Sequence, residues 1–275
     1  MPRPKRFVFV GVVALLLAAC ASPSHVTAPD ATVTAVRTER ADKEFDLDAS
    51  ITRVAIDNPW GEINIRARDE REVGIHAVIQ RNGPRYAKAA FHARRDGDTL
   101  HIEVGFDGAV AGGIDTPGRI DTAVFLPGEL ALTLRTRDSR IAAKRRVGEI
   151  DAASHSGSIL ASSYGRLTLH TDSGLVRATA IGARWSGASD ISSVDGRIVL
   201  LVPTFGDIAL DAQTGGALGS NFGLSVHAAP GGGHEAHARY GAGTSPLRVR
   251  SRDGEIVLEQ LVLLGEDSKL PEDDD

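Results

Sequence analysis

Apolar and polar residues alternate along most of this chain in short runs, and many of these runs end at a glycine. In the run LTLHTDSGLVRA, Leu167 and Leu169 lie seven and five residues before Gly174, while Val176 and Ala178 lie two and four residues after it. Alternation with a period of two predicts a β-strand with one buried face. Each run therefore predicts two short strands that are joined by a sharp corner.

The same pattern recurs around other glycines, which we predict to be structural corners. A small residue, usually Ser, Thr, Ala or Asn, lies three residues before each of them. We attribute the glycines to a need for positive φ, which glycine adopts at little steric cost. A hydroxyl at the small position would bond the backbone of the corner. The predicted corners are Gly61, Gly157, Gly174, Gly196, Gly215 (which fits only on its N-terminal side) and Gly254, with Ser139 in the equivalent place of one further run.

The spacing of these corners predicts how the strands assemble. From Gly157 to Gly215 successive corners are 17, 22 and 19 residues apart, so that each repeat holds two short strands. A period of about 20 residues is typical of solenoids. We therefore predict an all-β fold, a single-stranded parallel β-solenoid (β-helix) with an irregular N-terminal β cap. An antiparallel β-sandwich is the alternative, because short, regularly spaced strands also predict that fold.

These patterns divide the chain into five segments. Residues 1–19 have the features of a signal peptide, and residues 20–41, rich in Ala, Ser, Thr and Pro, predict a flexible tether. Residues 42–131 fit the repeat only in part and predict an N-terminal β cap with the first coils. Residues 132–264 carry the solenoid repeats, and residues 265–275 predict an acidic, disordered tail.

Two stretches of the cap region have a strand signature of their own. Residues 71–80 alternate as one strand, and residues 91–106 predict a hairpin that turns at residues 96–98. We expect the cap to cover the open end of the solenoid, because an unpaired strand edge invites aggregation.

The first 20 residues predict export and attachment to lipid. Three basic residues precede an apolar run, from Phe7 to Leu17, that is shorter than the ~20 residues of a membrane-spanning helix. The sequence LAAC that ends at Cys20 resembles the lipobox of bacterial lipoproteins. This resemblance implies cleavage before Cys20 and acylation of its sulfur and amino group, and two or more acyl chains anchor a protein stably. Ala21 implies, by the same resemblance, the outer membrane; a conventional signal peptide is the alternative.

Three motifs in the rest of the chain point to a known family. They are IDNPWGEINI at residues 56–65, VFLPGELALTL at residues 124–134, and tandem T-x-S-G-x-[IV] units between residues 136 and 258. With these motifs, residues 42–264 resemble the adhesin-like domains of bacterial envelope proteins, a family of β-solenoid type with no assigned activity. The resemblance implies a protein of the cell envelope and names no reactive group.

The composition of the chain argues against nucleic acid as a partner, against disulfides and against a cofactor. The first 19 residues hold three basic and no acidic residues, so the rest of the chain has a net charge of −8 rather than −5. We therefore expect no nucleic-acid partner, because nucleic acid requires a basic surface. Cys20 is the only cysteine, and no disulfide can form within the chain. The sequence has no catalytic motif and no cofactor motif, and we expect neither a catalytic site nor a cofactor.

Two candidates for binding chemistry remain. His234 and His237 flank a glutamate in GGGHEAHARY, but the spacing is one residue short of His-Glu-x-x-His and the context predicts a glycine-rich loop. The alternative to a metal site is therefore a solvated loop that binds no metal. Trp185, in a predicted surface insertion, is the candidate ligand surface for a sugar ring, with simple packing as the alternative.

Three functions are compatible with these observations. The first is a lipid-anchored envelope protein whose solenoid is a non-catalytic binding or scaffold surface for an envelope protein or a polysaccharide. The second is a carbohydrate-active enzyme on the same β-helix, which would need two carboxylates in one cleft. The third is an accessory factor in envelope assembly or stress signalling. We favour the first, because no convergent pair of carboxylates is evident in the repeats.

Overall fold

The computed structural model describes residues 36–82, 88–109, 117–182 and 185–262, and these residues form β-strands and no helix. The strands in chain order are β1 (Val36–Asp46), β2 (Arg53–Asp57), β3 (Ile63–Arg68), β4 (Glu72–Asn82), β5 (Ala89–Asp96), β6 (Thr99–Phe106), β7 (Gly118–Pro127), β8 (Ala131–Thr136), β9 (Ile141–Arg146), β10 (Ile150–Ser154), β11 (Ile159–Ser163), β12 (Leu167–Thr171), β13 (Val176–Ala180), β14 (Ser189–Ser193), β15 (Ile198–Pro203), β16 (Ile208–Thr214), β17 (Leu218–Ser220), β18 (His227–Ala228), β19 (His234–Arg239), β20 (Ser245–Ser251) and β21 (Ile256–Leu261).

The strands form two large mixed sheets. Sheet A has the order β1-β4-β7-β3-β9-β11-β13-β15-β21-β17, and sheet B has the order β18-β19-β16-β20-β14-β12-β10-β8-β2-β6-β5. Strands in the middle of both sheets pair in parallel, whereas β1–β4, β4–β7, β5–β6, β16–β19 and β18–β19 pair antiparallel. The all-β class is as predicted. The sheets differ from the prediction of parallel strands in having antiparallel pairs near their ends.

Between β8 and β15 the chain alternates regularly between the two sheets. A strand of sheet B leads into a turn that we call a glycine corner, and a strand of sheet A leads into a turn that we call a return corner. Residues at the same distance from their corner glycines lie side by side, as Leu132, Ile150 and Leu167 do in sheet B. Equivalent positions of the sequence repeat are therefore register partners on neighbouring strands.

Aliphatic side chains from both sheets fill the space between them. The inward residues of β8, Leu132 and Leu134, are fully buried, as are Ile141 of β9 and Ile159 of β11. Each such side chain contributes about 1.5–3 kcal/mol when it is removed from water, which offsets the entropy of ordering the strands. Since each strand pair is too thin to bury this face alone, neighbouring pairs supply the rest of the core.

The corner glycines are required by close packing and not by positive φ, which corrects the reason given by the sequence. None of the six has a positive φ in the described structure. Instead, a Cβ at the corner glycine would overlap a backbone carbonyl of the next strand pair. The overlapping carbonyls are Ile120 for Gly61, Ser139 for Gly157, Gly157 for Gly174, Gly174 for Gly196, Arg252 for Gly215 and Gly196 for Gly254. Glycine is therefore needed at these six corners because a neighbouring carbonyl lies too close for a Cβ, whereas Ser139 occupies the equivalent place of one further corner.

The predicted hydroxyl bonds at these corners are confirmed. The Thr171 hydroxyl donates to the Gly157 carbonyl at 3.2 Å and accepts from the Gly174 amide at 3.1 Å. Ser154 bonds its corner in a similar way, donating to the Arg137 carbonyl at 3.1 Å and accepting from the Gly157 amide at 2.9 Å. These bonds satisfy backbone groups that would otherwise be buried without partners.

The order of strand pairs in space differs from their order in sequence at both ends. The last pair, β20–β21, lies between β14–β15 and β16–β17, and near the other end β6 and β7 lie beyond β2 and β3. The expected stacking of successive repeats thus holds only in the middle of the chain. The predicted strand at residues 71–80 and the predicted hairpin at residues 96–98 are confirmed as β4 and as the β5–β6 turn.

A bulge at one return corner places an arginine in the core. β9 shifts register after Ala143, Arg145 has a φ of 55°, and Arg146 then lies opposite Ser163. Its side chain is fully buried, and its Nη2 donates to the Pro127 carbonyl at 2.5 Å, while Nε and Nη1 have no hydrogen-bond partner. Burial lowers the pKa of this guanidinium to about 10. The arginine lies where pairing between β3 and β9 ends, after Ile65.

The terminal assignments lie mostly outside the described residues. The signal peptide, Cys20 and the acidic tail belong to parts of the chain that the structure does not describe. β1 begins at Val36, so residues 36–41, which the sequence assigned to the tether, belong to sheet A.

Candidate functional site

The outer faces of the two sheets differ in chemistry. On sheet A, the outward row across the middle strands is largely apolar, with Ala142, Leu160, Val199 and Val257 in register and one charged residue, Arg177, between Leu160 and Val199. On sheet B, the equivalent rows are polar and charged. One row contains, in order, Thr133, Asp151, Thr168, Asp190, Arg248, Asp211 and His237, and the next contains Asp57, Arg135, Ala153, His170, Ser192, Arg250 and Gln213. Sheet B therefore carries the candidate functional face.

Where this face meets the glycine corners that follow β10 and β12, two histidines share one carboxylate. His155 Nδ1 lies 2.5 Å from Asp172 Oδ2, and His170 Nε2 lies 3.1 Å from Asp172 Oδ1. The hydrogen bond from His155, with a smaller contribution from that of His170, lowers the pKa of Asp172. His170 Nδ1 also lies 2.9 Å from the Ser192 hydroxyl.

The group of His170, Asp172 and Ser192 has the residue types of a hydrolytic triad but not its setting. In a triad the aspartate is buried and orients a single imidazole. Here the Asp172 side chain is 41% exposed and is shared with His155. These residues form an open surface network.

Arginine–carboxylate pairs continue the network toward β16. Arg250 Nη2 donates to Asp211 Oδ2 at 2.5 Å, and His237 Nδ1 lies 3.3 Å from Asp211 Oδ1. The hydrogen bond from Arg250 lowers the pKa of Asp211. Arg248 lies 3.7 Å from Asp190. Each charge on this part of the face is thus held by a neighbour one strand away.

A first cleft, the acidic cleft, opens beside β2 and β6. It has a volume of about 280 Å³, and its charged and titratable lining residues are Asp57, His92, Glu103 and Asp107. Asp57 and Glu103 are register partners on adjacent parallel strands. Partial desolvation by the cleft, followed by repulsion from Glu103, raises the pKa of Asp57. Two convergent carboxylates, one of them harder to ionise, are present here, contrary to the expectation from the repeats.

A second cleft, the basic cleft, lies near the opposite end of sheet B. It has a volume of about 490 Å³ and lies between the ends of β16 and β20 and the loop that precedes β19. Gln213, Arg250, Arg252 and the glycines at residues 231–233 line it. Both clefts lie beside glycine corners, since Asp57 precedes Gly61 by four residues and Arg252 precedes Gly254 by two.

The two predicted metal candidates do not converge. His234 and His237 lie in strand β19 rather than in a loop, and residues three apart in a strand point to opposite faces. His234 Nδ1 lies 2.8 Å from the Gly216 carbonyl, to which it donates, whereas His237 lies beside Asp211. Within the residues that the structure describes, no group of three or more His, Cys, Asp or Glu side chains has the geometry to hold a metal ion.

Both tryptophans pack against the core. Trp185 is half-buried, its ring N–H donates to the Pro246 carbonyl at 3.3 Å, and its backbone amide donates to the Ser245 hydroxyl. This geometry favours the packing alternative over a free sugar platform. Trp60 packs edge-to-face on Phe106, with ring centroids 5.5 Å apart, and Phe106 lines the acidic cleft.

The residues of both clefts were missed by the sequence argument. Asp57 was read only as part of a structural motif, and nothing local indicates that Glu103 lies beside it. For the basic cleft a signal was present, because Arg248, Arg250 and Arg252 alternate in the outward positions of one strand and its corner.

The described part of the chain contains no helix of the length and apolarity that a bilayer span requires.

Comparison with known proteins gives similarity only at the level of solved structures. No protein family matches this chain, and no curated protein matches it. A putative cell adhesion protein from Clostridium sporogenes aligns with 82% of this chain and 100% of its own, at 15% identity and a TM-score of 0.47. A putative adhesin from Bacteroides fragilis aligns over 81% and 97%, at 9% identity and a TM-score of 0.31. A putative adhesin from Parabacteroides merdae aligns over 82% and 97%, at 13% identity and a TM-score of 0.29.

Proposed function

We propose that this protein is a lipid-anchored component of the cell envelope, held in the outer membrane through Cys20. In this proposal the strand pairs between β2 and β21 form an adhesin-like β-solenoid, and the outer face of sheet B is a non-catalytic binding or scaffold surface. The observation that carries the proposal is the set of in-register polar rows on that face. A rigid parallel sheet fixes such side chains in position, which favours recognition of an extended partner.

The pairing of the charges supports binding rather than turnover. Arg135 and Asp151, on the adjacent strands β8 and β10, are 3.0 Å apart. Arg250 and Asp211 form an equivalent pair on the adjacent strands β20 and β16, nearer the opposite end of sheet B. A carboxylate held ionised by an arginine is a poor general acid, whereas it orients well for hydrogen bonding to hydroxyl or amide groups. We therefore propose an envelope polysaccharide as the partner, with an envelope protein as the alternative. The negative net charge disfavours nucleic acid.

The anchor is tested by the variant Cys20→Ala in the full chain. We expect wild-type protein to incorporate labelled palmitate and to sediment with membranes, and the variant to lose the label and to become extractable by salt. The reason is that a chain without acyl groups has no stable anchor. Labelling that persists in the variant would contradict lipid attachment at this residue.

The binding face is tested by charge reversal on the two sheets. Arg248→Glu alters the outer face of sheet B, and Arg177→Glu is the matched control on the outer face of sheet A. With full-length protein and isolated insoluble envelope polysaccharide, we expect Arg248→Glu to weaken co-sedimentation about threefold or more and Arg177→Glu to leave it unchanged. Equal effects of both variants would contradict the assignment of the face.

A second candidate is favoured by one observation, the acidic cleft. Asp57, with its raised pKa, and Glu103 supply the acid and the base that a carbohydrate-active enzyme needs. The same incubation distinguishes this candidate. Release of soluble reducing sugar by wild type, lost in Asp57→Asn, would support an enzyme, whereas binding without release supports the first proposal.

A further inference from the structure

We infer that the basic cleft is a binding site for an anionic, hydroxyl-rich group, such as a sugar that carries a carboxylate or a phosphate. This inference rests on the proposed function, because it assigns one subsite on the proposed binding face. It goes beyond that proposal by naming the residues that hold the charged group and the chemistry that they recognise.

The cleft is built from three segments that the sheet holds in register. Gln213 of β16 lies opposite Arg250 of β20, and the glycine corner that follows β20 brings Arg252 to the same opening. The loop at residues 231–233 closes the third side. A volume of about 490 Å³ is within the usual range for sites that hold small ligands.

The charge of the lining favours an anion. Two arginines line the cleft, and none of its described lining residues is acidic. Arg250 is fixed by Asp211, which accepts from both its terminal nitrogens. Arg252 is 72% exposed, and its described hydrogen bond uses only Nε, which donates to Asp253 at 2.6 Å. The two terminal nitrogens of Arg252 thus remain for a bidentate bond to a carboxylate or phosphate.

The glycine loop is the turn between the antiparallel strands β18 and β19, and its backbone conformation favours glycine. Gly231, Gly232 and Gly233 have φ values of 102°, 100° and 85°, a region that other residues rarely adopt. A Cβ at Gly233 would overlap the Thr214 carbonyl, but a Cβ at Gly231 or Gly232 would meet open space. Two glycines therefore keep the backbone bare beside the cleft, where peptide groups can approach a ligand closely.

The absence of stacking surfaces narrows the class of ligand. None of the described lining residues is aromatic, so a flat apolar ligand finds no platform in this cleft. The Gln213 amide offers both a donor and an acceptor for hydroxyl groups beside the arginines. A charged sugar combines the two requirements, an anion for Arg252 and hydroxyls for Gln213.

A matched arginine elsewhere on the same face provides the control. Arg137 lies two residues before the corner at Ser139, as Arg252 lies two before Gly254, and its Nε pairs with Asp138 just as Arg252 pairs with Asp253. Arg137 lies on another strand pair, without the glycine loop. Any effect of the general charge of the face would therefore be shared by the two positions.

The test uses the purified full-length protein in detergent and calorimetric titration. The probes are trigalacturonate for the carboxylate, inorganic phosphate for the phosphate, and maltotriose as the neutral sugar. We expect saturable binding of one or both anionic probes and much weaker binding of maltotriose. Arg252→Gln should weaken binding about tenfold or more, and Arg137→Gln should leave it unchanged. Gln213→Glu, which places a carboxylate in the cleft without changing its shape, should abolish binding.

Two outcomes would overturn the inference. Failure of both anionic probes to bind wild type rules out the site, and equal losses in Arg252→Gln and Arg137→Gln assign the binding to the general charge of the face. Neither result affects co-sedimentation with whole polysaccharide, which tests the proposed function separately. Binding of only one anionic probe identifies carboxylate or phosphate as the group that the cleft recognises.

Discussion

The glycine corners and the return corners, at the two edges of the paired sheets, share close glycine contacts but differ in how regularly they keep a bonding hydroxyl. A Cβ at Gly148, Gly165 or Gly182 of the return corners would also overlap neighbouring backbone. At the glycine corners the same close contact recurs from one strand pair to the next, and the hydroxyls of Ser154 and Thr171 bond it in the same way. At the return corners the same register position is held by Ser163 in β11 and by buried Arg146 in β9. Both clefts lie beside glycine corners, so the more regular edge also carries the candidate sites.

The difference between the two edges has a physical cause, which is whether the buried polar groups at each corner find hydrogen-bond partners. The Ser163 hydroxyl donates to the Gly148 carbonyl at 2.6 Å and accepts from the Gly165 amide at 3.0 Å, so it completes its corner. Arg146, in the equivalent place, bonds one carbonyl and leaves two nitrogens without partners. The return edge tolerates this defect. Sites that need fixed geometry are better supported by corners such as those of Ser154 and Thr171, whose hydroxyls bond the corner backbone.

The largest effect is expected from Gly174→Ala, which breaks the regular edge. The added Cβ would overlap the Gly157 carbonyl, a rigid backbone atom, so that two strand pairs would have to move apart. We expect a loss of about 3 kcal/mol or more in the free energy of unfolding. Chemical denaturation of full-length wild type and variant, followed by circular dichroism, measures the difference.

Gly219→Ala is the control for this substitution. Gly219 lies in β17, has no positive φ, and has no atom within 4 Å of the position that its Cβ would occupy. We expect a change within about 0.5 kcal/mol. If Gly174→Ala were equally mild, the glycine corners would not be closely packed, and close approach would not be the reason that they require glycine.

The sequence predicted the regular edge well because its determinants are local and repeated. A glycine, a small polar residue three positions earlier and alternating aliphatic residues lie within about one run, and the recurrence of the run fixes the register. The cause assigned to the glycines was wrong, since positive φ is a property of one residue whereas the observed close approach needs the neighbouring strand pair. Single-residue propensities cannot contain that information.

The clefts could not be predicted for a related reason. Alternation shows which face of a strand carries Asp57 or Arg250, but it does not show which strand lies next to it. β6, which carries Glu103, lies beside β2 although β3, β4 and β5 come between them in the chain, and β20 lies between β14 and β16. These neighbours result from long-range pairing at the ends of the stack, where the repeat is interrupted.

A smaller effect, of opposite sign, is expected from Arg146→Met, which repairs the irregular edge. The guanidinium is buried with two unpartnered nitrogens, and an aliphatic side chain of similar length removes the cost of desolvating the charge. The Pro127 carbonyl loses one bond in exchange. We expect the free energy of unfolding to rise by about 1–2 kcal/mol, whereas Arg177→Met on the exposed face of β13 should change it by less than about 0.5 kcal/mol.

The pH dependence of this difference identifies its cause. Because burial lowers the pKa of Arg146 to about 10 in the folded protein, the unfolded chain binds the proton more tightly, and the wild type gains stability as the pH rises above about 10. The advantage of Arg146→Met should therefore shrink between neutral pH and about pH 11 in denaturation curves measured in parallel. If Arg146→Met instead destabilised the protein by more than about 1 kcal/mol, the arginine would be holding its corner together, and the two edges would be equally well bonded by different means.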